Sequence, residues 1–205
     1  DVTTTGTINA SNINIEDINY VSPFATGGDE IITAGNHTVH IFKSGGTFTP
    51  NGNTNIEYLV VGGGGGGGYN YSNYGGGGGG AGGFIAGNTS IADTAINITV
   101  GAGGATRANG QNSEIPGVAT AIGGGAGGEN RGDLARSRGK DGGSGGGGSW
   151  SIGGTGDAGV GLQPLSGSNN FGNDGGVGTT GNRGGAGGGG ASAAGEDYDG
   201  VLFGA

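Results

Sequence analysis

Two inserts between glycine runs carry the residues best suited to molecular recognition. The first insert is Tyr69-Asn70-Tyr71-Ser72-Asn73-Tyr74. Tyrosine and asparagine are favoured in adaptable recognition loops, and aromatic faces stack on sugar rings. The alternative is that the tyrosines pack on the glycine bundle or on a neighbouring subunit. Both interpretations stay open for the same five residues: Tyr69, Asn70, Tyr71, Asn73 and Tyr74.

The second insert, residues 129–141, concentrates positive charge in an acidic chain. Four of the seven Lys and Arg residues lie within ten positions, with three carboxylates around them. A patch for an anionic surface sugar is one interpretation. A solvated loop with internal ion pairs is favoured over it, since exposed pairs are weak and common. The cations are Arg131, Arg136, Arg138 and Lys140; the acids are Glu129, Asp133 and Asp141.

Two aromatic residues in later inserts, Trp150 and Phe171, extend the set of candidates. They are expected either to join the same recognition surface or to anchor their own loops. The predicted receptor-binding set therefore contains residues from four inserts, and it requires a scaffold that brings those inserts together.

The sequence offers no arrangement typical of an enzyme or a metal site. His37 and His40 lie three residues apart on a predicted strand, so they face opposite sides. The spacing of Glu196, Asp197 and Asp199 fits no calcium loop, and a solvated turn is favoured. No nucleophile is accompanied by a base and an orienting group. We expect no catalysis, no cofactor and no metal.

The glycines after Val61 satisfy the pattern Gly-x-Gly-x-x-Gly, yet nucleotide binding is not expected. That fingerprint requires a helix directly after the loop, and the stretch from Tyr69 to Gly83 cannot form one. Gly139-Lys140 is followed by Asp141 rather than Ser or Thr, so it is not a phosphate-binding loop either.

Composition limits the fold and its partners further. Of 205 residues, 61 are glycine and 31% are hydrophobic, so only a small conventional core is possible. The net charge of −9 argues against nucleic acid as a partner. No apolar run reaches 18 residues, so no membrane insertion is expected. The chain begins at Asp1 rather than Met, which favours a processed product or a fragment.

Short strands account for most of the apolar residues. Residues 1–30 alternate Thr, Asn and Ile, which predicts a β-stem or assembly arm, with a mobile arm as the alternative. Residues 31–205 form a glycine-rich domain. Its strongest strand is Ile56–Val61, which we expect to be buried on both faces. Further strands are predicted at residues 39–42, 47–49, 84–86, 96–100, 118–122 and 201–203.

Three of these strands run directly into glycine, after Val61, Val100 and Ile122. This recurrence predicts ordered glycine rather than flexible linkers. Polyglycine II provides the order: three-residue left-handed helices bonded to their neighbours, with a run of seven residues spanning about 22 Å. The predicted fold is mainly β with polyglycine II, short strands at the base carrying a glycine bundle, and no substantial α-helix. The scaffold glycines include Gly62, Gly65, Gly68, Gly75, Gly78, Gly123, Gly145 and Gly187.

The order of these segments resembles the glycine-rich domain of bacteriophage tail-fibre proteins from residue 40 to about 190. The matching segments are Gly46-Thr47-Phe48-Thr49-Pro50, Glu57 to Gly68, Gly75 to Gly83, and Ile98 to Gly104. The polyglycine II tip adhesins of T-even-type long tail fibres are a related case. The ending differs, because Glu196-Asp197-Tyr198-Asp199-Gly200 precedes Val201-Leu202-Phe203.

The resemblance implies an extracellular virion protein, a fibre or fibre tip that is commonly a homotrimer. Its partners would be a host cell-surface glycan or outer-membrane protein, together with other fibre or virion subunits. The alternative is a purely structural protein, such as a capsid-decorating fibre or a surface-filament subunit, without a receptor.

Overall fold

The structure, a computed structural model, is mainly β, with small sheets and almost no helix. It describes residues 24–70, 75–130, 134–151, 154–163, 170–179 and 184–198. The strands predicted within residues 1–23 and at 201–203 lie outside these ranges. The one described helix is a single turn, α1 (Leu134–Ser137).

Eleven short strands are described, and most pair in twos. They are β1 (Glu30–Ala34), β2 (His37–Ile41), β3 (Gly46–Phe48), β4 (Thr54–Val61), β5 (Phe84–Ile91), β6 (Ile96–Ile98), β7 (Ser113–Ile115), β8 (Ala119–Ala121), β9 (Trp150–Ser151), β10 (Gly154–Thr155) and β11 (Asn170–Phe171). The pairs are β1–β2, β3–β6, β7–β8 and β9–β10, all antiparallel.

The largest sheet has the order β11-β5-β4 and forms the base of the glycine bundle. β4 and β5 pair along their whole length, from Thr54 opposite Ile91 to Val61 opposite Phe84. The chain leaves this sheet at Val61 and returns to it at Phe84. Residues 62–83 are therefore one excursion whose two ends are fixed side by side.

The prediction that Ile56–Val61 is buried on both faces is wrong. Val60 is 7% exposed, whereas its neighbours Leu59 and Val61 are 61% and 50% exposed. β7 and β8 contact β4, and burial alternates along β4 from one residue to the next. Because side chains alternate along a strand, the residues facing the other way stay outside the core. An unbroken apolar run does not reveal this one-sided packing.

The N-terminal hairpin β1–β2 is fixed at its base by side-chain contacts. The Asp29 carboxylate accepts hydrogen bonds from the backbone N–H groups of Lys43, at 2.6 Å, and Ser44, at 3.0 Å. These bonds hold the pKa of Asp29 below its ordinary value. The His40 ring packs edge-on against Phe48, with ring centroids 5.0 Å apart.

The glycine runs bond to each other in steps of three residues. In the antiparallel pair formed by the first excursion, the bonds are 2.8–2.9 Å long. The repeat of three differs from the two-residue repeat of a β-ladder. From amide to carbonyl, these bonds join Gly62 to Gly83, Gly65 to Gly80 and Gly68 to Gly77.

Further runs stack beside this pair in the same way. The central runs, residues 123–130 and 142–149, are buried at every position. Each central run bonds to several neighbours on different sides, again in steps of three. The bonds between parallel runs join Gly124 to Gly63, Gly127 to Gly66, Gly125 to Ser144 and Gly128 to Gly147, from amide to carbonyl.

The core of this bundle is therefore backbone rather than side chain. Among the described residues, the fully buried side chains with the largest volume are serines. A Cβ on Gly65 would lie less than 3.0 Å from backbone atoms of Gly125. On the exposed Gly64, the nearest atom would be the carbonyl oxygen of Gly80 at 3.9 Å. Close backbone contact thus requires glycine at some positions and not at their neighbours.

Gly65→Ala is expected to lower the free energy of unfolding by about 1–3 kcal/mol, because the new methyl group overlaps a neighbouring backbone. The matched control Gly64→Ala should be neutral, or stabilising by up to about 1 kcal/mol through the lower entropy of the unfolded chain. Denaturant unfolding of the two variants measures the difference. Equal destabilisation by both variants would contradict this packing.

Candidate recognition surface and basic cleft

The direction of the glycine runs places several inserts at one end of the bundle. The run 62–68 leads away from β4, and the runs 123–128 and 142–149 are parallel to it by their hydrogen bonds. Asn70 and Asn130, at the ends of the first two runs, form a parallel β-bridge. We call this end, defined by Tyr69, Asn70, Glu129 and Asn130, the insert end.

Trp150 lies near the insert end as well. Gly147 is level with Gly128, because the Gly128 amide donates to its carbonyl oxygen at 2.9 Å. Ser149 then donates to the carbonyl oxygen of Ser137, the last residue of α1, at 2.7 Å. The strand pair β9–β10, which begins at Trp150, also contacts α1. The second insert and the insert that contains Trp150 are therefore in contact.

The structure brings some predicted site residues together and separates another. Tyr69 is exposed at the insert end, Arg136 and Arg138 are exposed nearby, and Trp150 is half-buried. Phe171 lies at the opposite end, in β11, where its ring contacts Phe84 with centroids 5.5 Å apart. Phe171 thus anchors its loop on the base sheet rather than joining the others. Tyr71, Asn73, Tyr74 and Arg131 lie outside the described residues.

Next to the insert end, and sharing Glu129 with it, is a cleft of about 460 Å³. Its lining includes four cations from two segments of the chain, and we call it the basic cleft. Three of the cations belong to the charged insert predicted from the sequence. The principal polar residues of the cleft are Arg107, Asn109, Glu129, Arg136, Arg138, Lys140 and Asp141.

Arg107 holds an unusual backbone conformation at the edge of the basic cleft. Its φ is 69°, the one positive value of a non-glycine residue in the described ranges. A hydrogen bond of 2.9 Å from the Ala108 amide to the Ala105 carbonyl closes the turn around it. Such turn positions normally take Gly or Asn. Strained residues of this kind concentrate at functional sites.

Two hydrogen bonds fix this turn to the rest of the bundle. The Arg107 amide donates to the carbonyl oxygen of Gly67 at 3.0 Å. Its own carbonyl oxygen accepts from Nζ of Lys140 at 2.7 Å. The Arg107 turn and the 129–141 insert are therefore joined through Lys140, although they are distant in sequence.

Glu129 is the buried acid of the basic cleft. Its side chain is 9% exposed and its Oε1 forms an ion pair with the guanidinium of Arg107. Its Oε2 is buried and has no hydrogen-bond partner in the described part of the chain. A buried oxygen that lacks a donor carries a free-energy cost. The ion pair with Arg107 is therefore the main interaction that stabilises the buried Glu129 carboxylate.

Asn109, which also lines the cleft, is held by two hydrogen bonds. Its Nδ2 donates to the Asp141 carbonyl oxygen at 2.8 Å, and its Oδ1 accepts from the Ala126 amide at 3.0 Å. Both partners belong to backbone of the glycine bundle or its insert. The Asn109 side chain is thus already held in place at the basic cleft.

Arg107 and Asn109 were not among the residues predicted from the sequence. They come from the loop between Gly104 and Gly110, well before the charged insert. The signal that was present is a lone arginine among small residues in a glycine-rich turn. Its proximity to Glu129 follows from the stacking register of the runs, which the sequence does not display.

The described residues contain neither a metal-ligand cluster nor a membrane-spanning helix. Within the described ranges, no group of three His, Cys, Asp or Glu residues could hold a metal ion. No described helix is long and apolar enough to cross a bilayer. Asp197 has a structural role, since its Oδ1 accepts the Val177 amide at 2.7 Å.

Most of the chain matches one family model. Residues 43–204 match the family model described as a glycine-rich domain. Since this covers well over half of the chain, the protein belongs to that glycine-rich domain family. Neither a curated protein nor a solved structure matches it. The match includes the glycine runs and the basic cleft, whereas the hairpin β1–β2 precedes it.

Arg107→Asn is expected to lower the free energy of unfolding by about 1–3 kcal/mol, because it leaves the buried Glu129 carboxylate unpaired. Asn tolerates positive φ, so the loss reports the missing cation. Adding Glu129→Gln should restore most of the stability, while Arg138→Gln, on an exposed side chain, should change it by less than about 0.5 kcal/mol. Thermal unfolding measures the stability of the unmodified protein, the two single variants and the double variant. A double variant no more stable than Arg107→Asn would contradict the pairing.

Proposed function

We propose that the protein is a bacteriophage fibre or fibre-tip protein. In this proposal its glycine runs are polyglycine II helices that form a rigid scaffold. The scaffold presents the inserts to a receptor on the host surface, either a glycan or an outer-membrane protein. The observation that carries the proposal is the convergence of separate inserts at one end of a bundle whose core is backbone.

The hydrogen-bond register supports polyglycine II for the runs. A helix of three residues per turn presents every third residue to the same neighbour, which is the step seen between Gly62, Gly65 and Gly68. None of the described glycines in the long runs has positive φ. Glycine has no intrinsic preference for one sign, so a uniform sign is expected of a regular helix and not of a flexible linker.

A scaffold of this kind suits receptor recognition. Each run reaches the insert end without a side-chain core, so the inserts can differ in sequence while the bundle is retained. Tyr69 is exposed there, and Arg136, Arg138 and Trp150 lie on the neighbouring inserts. Aromatic residues and arginine are enriched where proteins bind their partners. Loops on a rigid scaffold commonly carry such binding function.

Exposed apolar residues away from the insert end support contact with other fibre or virion subunits. Phe24 is 68% exposed, and Ile31, Ile32 and Val39 on the hairpin β1–β2 are exposed too. A two-stranded hairpin is marginally stable alone in water. We propose that a homotrimer, extracellular within the virion, covers these residues. Light scattering that gave a stable monomer would exclude the trimer.

The same residues favour a second candidate function, a purely structural subunit of a fibre, a decorated capsid or a surface filament. The exposed Leu59 and Val61 on the base sheet add to the apolar surface available for assembly. In this candidate the inserts contact neighbouring subunits instead of a receptor.

Binding to cells separates the two candidates. Fluorescently labelled protein, incubated with a panel of bacterial strains, is expected to bind some strains and to reduce phage adsorption to them. Tyr69→Ala should weaken that binding, because Tyr69 is exposed at the insert end. Leu162→Ala is the matched control, because Leu162 is similarly exposed but lies away from the insert end. Its amide donates to the carbonyl oxygen of Gly142, where the run 142–149 begins.

Binding that Tyr69→Ala and Leu162→Ala reduce equally would argue against the insert end as the receptor surface. No binding to any strain, together with an ordered polymer in solution, would favour the structural candidate.

A further inference from the structure

We propose that the basic cleft binds an acidic saccharide, one that carries a carboxylate or phosphate beside free hydroxyl groups. This inference rests on the proposed role at the host surface and names the chemistry of one ligand. It assigns the anionic group to the cations of the charged insert and a hydroxyl group to Oε2 of Glu129.

The charge distribution points to an anionic ligand. The chain has a net charge of −9 and seven Lys and Arg residues, and four of those seven line this one cleft. Only Glu129 and Asp141 oppose them among the lining residues. Cations that converge against the net charge of a protein form a local site for an anion.

Two of the cations, Lys140 and Arg138, retain donors for a ligand. The ammonium of Lys140 donates one hydrogen bond to the Arg107 carbonyl oxygen, and its other N–H donors remain for a ligand. Arg138 is exposed at the cleft, and its planar guanidinium suits two-point contact with a carboxylate or phosphate. Both side chains therefore bind an anion without first breaking the contacts that build the cleft.

The buried Glu129 favours a hydrogen-bond donor in the ligand, in addition to the anionic group that the cations favour. Glu129 lines the cleft, and its Oε2 is buried and has no partner within the described ranges. The Arg107 ion pair occupies Oε1 and holds the carboxylate in place. A carboxylate accepts hydrogen bonds only, so a ligand hydroxyl group is the complementary partner. Inorganic phosphate carries its anionic oxygens and its own O–H group on one phosphorus atom, whereas an acidic saccharide carries hydroxyl groups at a distance from its anionic group.

The lining also favours a saccharide over an acidic peptide. Ala135 supplies the one apolar side chain of the cleft. Peptide partners usually gain affinity from aromatic or aliphatic anchors in apolar pockets, and this lining offers no such pocket. The volume of about 460 Å³ falls within the roughly 300–1,000 Å³ of small-molecule sites. A hydrophilic ligand of one or two sugar rings fits these properties.

Titration of the full chain with glucuronic acid, followed by amide NMR, tests the proposal. Saturable shifts are expected at the cleft residues Gly127, Gly139 and Lys140, with glucose and inorganic phosphate binding at least about tenfold more weakly. Lys140→Gln and Arg138→Gln should each weaken glucuronic acid binding by about tenfold or more. Lys43→Gln, which removes an equal charge outside the cleft, should leave it unchanged.

The inference is overturned if glucose or phosphate binds as well as glucuronic acid, if hexaglutamate binds more tightly, or if Lys43→Gln weakens binding as much as Lys140→Gln. Unfolding curves of the exposed-residue variants verify that they fold.

The same variants applied to cells separate the two proposals. Saccharide binding without cell binding removes the proposed function alone. Cell binding unaffected by Lys140→Gln removes the role of the cleft alone.

Discussion

Close approach of one backbone to another, made possible by the absence of Cβ atoms, is the constraint on which this structure depends. Glycine loses more conformational entropy on ordering than any other residue, so a chain with 61 glycines needs a compensating interaction. The compensation is hydrogen bonding between runs, in several directions around each central run. Apolar burial is secondary and is limited to a few residues such as Val60 and Ile91.

A core made of backbone leaves the side chains free for other roles. The runs fix where each insert begins, and the inserts that follow residues 68, 128 and 148 then contact one another at the insert end. The basic cleft follows from the same arrangement, because stacking in steps of three places the Arg107 turn beside Glu129. The strained φ of Arg107 is retained through its bonds to Gly67 and Lys140. The stacking of the glycine runs thus also positions the residues of the basic cleft.

The sequence predicted the base strands and the charged insert because local patterns encode both. Alternating apolar residues predict a strand such as Ile96–Ile98, and charges cluster visibly between residues 129 and 141. The exposure of Leu59 and the contact between Arg107 and Glu129 could not be predicted from the sequence. The first depends on which face of β4 is covered, and the second on the register between runs. Identical glycines carry no pattern from which a register can be read.

Hydrogen exchange along the run 62–68 tests the central claim, that glycine runs are ordered helices with a repeat of three. The amides of Gly62, Gly65 and Gly68 donate to a neighbouring run, whereas those of Gly64 and Gly67 have no acceptor among the described residues. The account predicts slow exchange at the first three and fast exchange at the other two. Uniformly fast exchange, as in a linker, or alternation every second residue, as in a strand, would contradict it.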